Sequence, residues 1–425
     1  MADDTSDGAG GGAAGLAFMP DLMSDFELIH RASRDEPFPP ARVRRDRIGR
    51  LVDMTEQAEE RIADAIDADY GGRSRFETKL AEISSVIAAG AHARRRVAGW
   101  MKTRPARTEV HFRPMTNSVL PQPLGVVGVL SPWNYPWHLA VAPLIGIFAA
   151  GNRAMVKPSE HTPATSALLA ELAERNFSPD ELTVVRGGAD TAAAFSRLPF
   201  DHLLFTGSAE VGARVAAAAA ERHVPVTLEL GGKCPAIVDR SADLDQAAAQ
   251  IAWGKWLNAG QTCFAPDHVL VPEDLLAPLV QRIAAKVAEF YPASRIERDY
   301  TAILGAERYA RLAEMLQQAK DEGAGIVRPL GPDRGLRMMP AIVTDPPEHL
   351  GMMQEEIFGP ILPVVRCHDI EAAIARLSAR PRPLALYWFG TDRTAEAQIA
   401  RETWAGGLSI NTCVLQIAQE DLPFG

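Results

Sequence analysis

Cysteine is scarce here: four in 425 residues, at positions 234, 263, 367 and 413, with no close pair among them. That spacing offers neither a disulfide framework nor a zinc knuckle, and a reducing cytoplasmic setting is the simplest one for such a chain. The 10 histidines show no metal-ligand spacing, so no metal is expected. No apolar run is long enough to span a bilayer. The N-terminus carries Asp3 and Asp4 rather than a basic segment followed by a hydrophobic one, so no secretory signal is expected. Positive charge is outweighed, with 44 Lys and Arg against 54 Asp and Glu and a net charge of −10. That balance favours solubility and argues against nucleic acid as the main partner. The basic run Arg94-Arg95-Arg96 reads as the wet face of a helix.

What is present is ordinary globular composition, 47% hydrophobic and 23% charged, in a chain long enough for two or three domains. Residues 1–20 are small, polar and Gly-rich, and are expected to be disordered. Within them Gly10 to Gly15 formally matches a dinucleotide fingerprint, but no strand precedes it and the match is compositional. Ile48, Leu51, Val52, Ile62 and Ile66 define one helix stopped by Gly71-Gly72, and Phe76, Leu80, Ile83, Ile87 and Val97 a second. A Pro-bordered segment at about 106–123 predicts an extended hairpin, a plausible arm for subunit contact.

From 124 to 230 the pattern is regular. Predicted strands at 124–130, 154–157, 182–185, 202–205 and 226–230 alternate with helices at 137–150, 163–176, 189–198 and 210–222. Such alternation demands an α/β fold with a parallel sheet covered on both faces, binding ligands beyond the carboxyl ends of its strands. The alternation restarts after Gly231-Gly232, with helices at 244–258, 370–377 and 394–403 and strands near 269–271, 341–343, 362–365 and 385–389. This predicts a second α/β domain with the boundary near Gly231.

Six places carry chemistry. Cys263, in a loop opened by Gly260, is either a thiolate nucleophile or a buried small hydrophobe. Glu229, between Leu228 and Leu230 and ahead of Gly231-Gly232, is either a general base tuned by desolvation or the partner of Lys233. Asn134, in Ser131-Pro132-Trp133-Asn134-Tyr135-Pro136, is either an oxyanion donor or a helix N-cap. Phe205-Thr206-Gly207-Ser208-Ala209-Glu210-Val211-Gly212 suits phosphate at a helix start, and Ala213-Arg214, standing where a P-loop requires Lys-Ser/Thr, disfavours an ATPase. Lys157-Pro158-Ser159-Glu160 offers a cation and a carboxylate to a ribose, or is a simple strand exit. Finally, Glu356 and Phe358 stand two residues apart, able to hold a second ribose and wall a flat ring, or to form an acidic turn before a core phenylalanine.

In this order, from about residue 40 to the last, these segments resemble the aldehyde dehydrogenase superfamily. The Gly260–Cys263 loop followed by Ala265-Pro266-Asp267, and the stretch from Val414 to Gly425, are similar to its coniferyl aldehyde dehydrogenase branch, related to the class 3 enzymes. The resemblance implies a Rossmann-type cofactor domain (21–231) with an oligomerisation hairpin, a catalytic domain (232–410) and a segment (411–425) returning to the cofactor domain, the family's C-terminal strand being absent. It implies Cys263 as nucleophile, Glu229 as general base and Asn134 in the oxyanion hole. Trp133, Lys157, Glu160, Gly207, Ser208 and Gly212 would line the adenosine and pyrophosphate, and Glu356 and Phe358 the nicotinamide half. The implied reaction is NAD(P)-dependent oxidation of an apolar or aromatic, coniferyl aldehyde-like substrate in a homodimer or homotetramer, with NAD favoured because Glu160 repels a 2′-phosphate. Trp137, Trp256 and Phe264 are expected near the substrate. Asn411 to Gln416 lacks the aspartate and histidine usual in the branch. The alternatives are a CoA-acylating relative and a catalytically silent scaffold of the same fold.

Overall fold

A computed structural model describes residues 20–425; the expectations for residues 1–19 fall outside the described residues. The chain divides into two compact units. One holds the described residues through Ile66 together with Lys79–Glu229, and the other Asp67–Thr78 together with Leu230–Gly425.

The first unit opens with helices Pro20–Asp35 and Ala41–Gln57. The run read as one helix from Ile48 to Ile66 is two, because Ala58 leaves helical geometry (φ −103°, ψ 12°) before Glu59–Tyr70 resumes. The next helix is also not uniform: Arg75–Thr78 is α-helical, Lys79–Ser84 is π-helical, and Ser85–Trp100 is α-helical again. The hairpin is formed by β1 (Arg104–Ala106) and β2 (Asn117–Val119), antiparallel and exposed throughout.

Beyond it, β3 (Val126–Leu130), β4 (Arg153–Lys157), β5 (Leu182–Val184), β6 (His202–Gly207) and β7 (Val226–Leu230) form one sheet in the order β5-β4-β3-β6-β7. The β3–β4, β3–β6 and β4–β5 pairs are parallel. β3 and β4 are buried at every residue, which explains the unbroken apolar run of β3 and the apolar centre of β4 between Arg153 and Lys157: a strand covered on both faces has no polar side to alternate with. Helices His138–Ala150, Pro163–Asn176, Ala189–Phe195 and Ala209–Ala220 connect the strands. Chain order runs outward from β3 to β5, then crosses back to β6, so the topological switch lies between β3 and β6. That is where open α/β sheets bind ligands.

In the second unit seven strands assemble in the order β10-β11-β12-β9-β8-β13-β14. They are β8 (Pro235–Val238), β9 (His268–Val271), β10 (Gly325–Val327), β11 (Ala341–Thr344), β12 (Ile361–Arg366), β13 (Ala385–Phe389) and β14 (Gly407–Ile410). Only β10 runs antiparallel, at one edge. Strands β8, β10 and β14 and helices Glu273–Phe290 and Ala306–Asp321 escape the sequence reading. β8 opens on a proline, the first helix contains Pro278, and the second buries only Leu312, Met315, Leu316 and Ala319 on an otherwise charged cylinder.

Two segments differ from the sequence reading in the unit they join. Residues 67–78, expected within a domain spanning 21–231, pack with the second unit. Gly71 and Gly72 stop the helix at positive φ, Ala302 N donates to Gly72 O (2.8 Å), and Thr301 Oγ1 donates to Glu77 Oε2 (2.6 Å). Residues 411–425, expected to return to the cofactor domain, also belong to the second unit. Phe424 sits edge-on to Phe264 with centroids 4.9 Å apart, and Asn411 exchanges two hydrogen bonds with the Gly390 backbone. Among the described residues no helix is long and apolar enough to cross a membrane.

Candidate active site

In the first unit the carboxyl ends of β3, β4 and β6 flank the topological switch. Trp133 and Asn134 follow β3, Lys157 ends β4 with Glu160 just beyond, and Gly207 ends β6. The sheet thus gathers residues up to 74 positions apart in sequence at one edge. Asn134 is buried (4% exposed). It is not the helix cap that its type suggests, for the helix begins at His138 with Trp137 in the N-cap position and no capping side chain. Instead the buried Glu82 carboxylate accepts from the amides of Trp137 (2.9 Å) and His138 (3.0 Å).

Lys157, nearly inaccessible, donates to Glu160 Oε2 at 2.6 Å. Burial alone raises the Glu160 carboxyl, but the Lys157 ammonium more than offsets this and leaves it below its usual range. Ser208 caps helix Ala209–Ala220, its hydroxyl accepting from Val211 N at 3.3 Å. Gly212 is buried one turn in. A capped helix start after β6, on the same carboxyl edge of the sheet as a cation at the end of β4 with β3 between them, fits the pyrophosphate and ribose of a dinucleotide.

Glu229 stands near the end of β7, partly buried, and burial raises its carboxyl above the ordinary value. The ion-pair alternative loses its partner: Lys233 donates to Asp267 Oδ1, to Met352 O (2.8 Å) and to Glu355 O (2.7 Å), which accounts for all three of its protons.

In the second unit helix Leu244–Trp256 ends in three successive left-handed residues, Asn258 (φ 53°), Ala259 (φ 51°) and Gly260 (φ 76°). For a residue with a Cβ this geometry costs about 1–2 kcal/mol, and it persists where the surroundings dictate it. They do so here. Gln261 Nε2 donates to Asn258 O (3.1 Å) and Ala302 O (3.0 Å), Leu304 N donates to Gln261 Oε1 (2.9 Å), and the Asn258 amide hydrogen-bonds the buried Glu77. A side chain at Gly260 would collide with the Gly359 carbonyl, so the cysteine loop and the Glu356–Phe358 segment pack glycine to glycine.

Cys263 follows this turn, partly exposed, its carbonyl accepting from Cys234 Sγ at 3.2 Å. Cys234 and Cys413 are fully buried and burial raises their thiols, whereas Cys263 packs against the core yet stays partly exposed. Tyr387 OH donates to Phe264 O (2.6 Å) and accepts from Gln416 Nε2 (3.3 Å), tying the residue after the cysteine to the 411–416 segment. In that segment Asn411 and Val414 both adopt positive φ.

Beneath the loop lies a charged cluster whose pairing the sequence does not announce. Asp267, 3% exposed, accepts from Lys233 and from Ile357 N (2.9 Å). Burial would raise its carboxyl, yet Lys233, His268 and Lys255 hold it far below the carboxylate range. Lys255, inaccessible, is lowered to about 8 by burial. Glu356 is pushed up to about 7 by burial and by Asp267, against the pull of the Gly232 amide and the two lysines. Gly231 leaves the room that the Glu356 carboxylate occupies, so the first thing to approach that glycine closely is protein. Phe358, partly exposed, has φ 51°.

Replacing Asp267 by asparagine leaves buried cations short of their counter-charge. The expected cost is about 3 kcal/mol of stability near neutral pH, seen as an earlier midpoint in guanidinium unfolding. Because the folded carboxyl lies below its ordinary 3.8, its contribution is complete above that value and is lost on acidification. The gap between variant and wild type should therefore close at low pH; equal midpoints at pH 7 would count against the cluster's role.

Trp137, Trp256 and Phe264, expected beside the substrate, are core residues at 0%, 0% and 2% exposure. The indoles donate to Thr55 Oγ1 (3.3 Å) and Pro360 O (3.0 Å). Among the described residues no cluster of His, Cys, Asp and Glu is arranged to hold a metal ion.

Comparison with known proteins agrees with this geometry. The model of the aldehyde dehydrogenase family matches residues 32–425. The chain is 45% identical over 390 residues to a probable coniferyl aldehyde dehydrogenase of Pseudomonas aeruginosa, covering 92% of this chain and 82% of that one. The substrate-bound structure of Staphylococcus aureus AldH superposes with a TM-score of 0.91 at 34% identity, over 95% of this chain and 88% of that one. A Mycobacterium tuberculosis aldehyde dehydrogenase complexed with NAD+ gives 0.82 at 27% identity, over 92% and 82%.

Proposed function

This chain belongs to the aldehyde dehydrogenase family, enzymes that oxidise aldehydes with a nicotinamide dinucleotide, and we propose that it acts on an apolar or aromatic, coniferyl aldehyde-like substrate through a thioester on Cys263. One observation carries the reading: a partly exposed thiol three residues beyond a run of three left-handed residues, where backbone strain is held by four buried hydrogen bonds.

The chemistry follows from the residues. The Cys263 thiolate adds to the aldehyde carbon, and the carbonyl oxygen gains a negative charge that the Asn134 amide and the Cys263 N–H stabilise. An oxyanion donor of this kind is worth about 3 kcal/mol of barrier. The tetrahedral adduct collapses with loss of hydride from carbon and leaves the thioester. A nicotinamide dinucleotide, when bound, would supply the hydride acceptor. Glu229 then takes a proton from water as the water oxygen attacks the thioester, and the acid leaves as the thiolate re-forms. Lys157, Glu160, Gly207, Ser208, Gly212 and Trp133 hold the adenosine and pyrophosphate, and Glu356 and Phe358 the nicotinamide half. The exposed hairpin, with Val110, Phe112 and Met115 uncovered, serves as the arm of a homodimer or homotetramer in the cytoplasm.

A panel of aliphatic and aromatic aldehydes, each assayed with NAD and with NADP, tests the proposal. The highest kcat/KM should fall on an aromatic propenal, and preference for short hydrophilic aldehydes would contradict it. Coenzyme A should leave the free acid as product, because Glu229 makes water the nucleophile; acyl-CoA would point instead to the acylating relatives. Glu160 should favour NAD by repelling a 2′-phosphate. Glu160→Gln is expected to move the NADP/NAD ratio of kcat/KM several-fold towards NADP, on the order of 1 kcal/mol. An unmoved ratio would remove Glu160 from cofactor choice.

A further inference from the structure

We propose that Glu82 is a positioning residue for aldehyde oxidation, holding from within the first unit the loop that presents Asn134; this rests on the reading of Asn134 as the oxyanion donor. A wholly buried carboxylate is costly unless its partners are fixed. Glu82 gives its Oε2 to the two amides that open helix His138–Ala150, at 2.9 and 3.0 Å. That helix brings no capping side chain of its own. The unsatisfied amides of its first turn are met by an anion 55 residues earlier in the chain, in charge-assisted bonds that also suit the positive end of the helix.

The carboxylate is delivered by the π-helical stretch Lys79–Ser84, an irregularity that recurs at functional sites. Its neighbours fix the same corner. Ser85 Oγ pairs with His138 Nδ1 (2.9 Å), and Trp137 Nε1 donates to Thr55 Oγ1 (3.3 Å). His138, lowered to about 4 by burial, is neutral at working pH. Asn134 lies three residues before Trp137, with Pro132 and Pro136 stiffening the chain on either side. A shift of the anchored helix start is therefore passed to the Asn134 amide rather than absorbed between them. Misplacement of a catalytic group by about 1 Å can cost 100-fold in rate.

The test is a double-mutant cycle on the full chain. Glu82→Ala should lower kcat about 10- to 100-fold with KM for the cofactor little changed. Glu82→Gln, whose amide oxygen still accepts both N–H bonds, should recover most of that loss. The Glu82→Ala/Asn134→Ala double variant should be no slower than Asn134→Ala alone, since a positioning residue has nothing left to position. A structural role would instead give losses that multiply, with Glu82→Gln as slow as Glu82→Ala, and that result overturns the proposal. Should Glu82→Ala fail to fold, Glu82→Asp, which draws the carboxylate back by one methylene, replaces it in the cycle. Wild-type kcat in Asn134→Ala overturns the oxyanion reading itself, a failure distinct from a slow Asn134→Ala beside an unimpaired Glu82→Ala.

Discussion

Cys263→Ala is expected to abolish aldehyde oxidation while NAD binding, measured by calorimetry, stays at its wild-type affinity. The loss should be at least ~10⁴-fold, as when a nucleophile is removed from a catalytic group that works as a unit. No other thiol can stand in. Cys234 and Cys413 are fully buried with raised thiols, and Cys367, beyond the far end of β12, is raised as well. The residues assigned to the adenosine half lie in the other unit, on the carboxyl ends of β3, β4 and β6, so the dinucleotide keeps its main contacts. Residual turnover above a few per cent would mean that the thiol is not the nucleophile.

Glu229→Gln should separate the two halves of the reaction. Thioester formation needs no general base on water, so one equivalent of reduced cofactor should appear rapidly. Hydrolysis then loses the 10²- to 10⁴-fold typical of general base catalysis, and the steady rate falls accordingly. The pH profile gives a second check. The base works only when ionised, and burial has raised its carboxyl above 4.5. The wild-type steady rate should therefore fall as pH drops through that raised value, and this limb should vanish in the variant. A variant that loses the initial burst together with the steady rate would assign Glu229 to the first step instead.

The sequence shows its first sheet plainly and its second only in part, for a physical reason. Strands β3 and β4 are buried on both faces, β3 reading as an unbroken apolar word and β4 as Ala154-Met155-Val156 between two charges, with helices of regular length after them. β8 begins with Pro235, helix Glu273–Phe290 carries Pro278, and helix Ala306–Asp321 is mostly charged, so each weakens the pattern that identifies it. Cys263, Glu229 and Asn134 attract notice because their residue types carry chemistry and stand beside glycine or proline. Their proposed roles draw on the family resemblance, and the fold adds their placement and surroundings.

Glu82 and Lys255 carried no such mark, and Asp267 stood out only as part of the Ala265-Pro266-Asp267 resemblance, without a role. Each is a charged residue inside an ordinary helical or loop stretch, and its burial is decided by partners far away in sequence, as with Asp267 and the Ile357 amide 90 residues on. The strain at Ala259 is equally silent, since alanine advertises no left-handed turn. Trp137 and Trp256 misled in the opposite sense: aromatic residues near a site in sequence proved to be core.

The most direct test is the intact mass of the Glu229→Gln protein after mixing with NAD and an aromatic propenal, followed by peptide mapping. The chain should gain one acyl group, held on the peptide containing Cys263 and released by hydroxylamine as a thioester is. An unmodified chain despite a full burst of reduced cofactor, or an acyl group on any other residue, would contradict the covalent route.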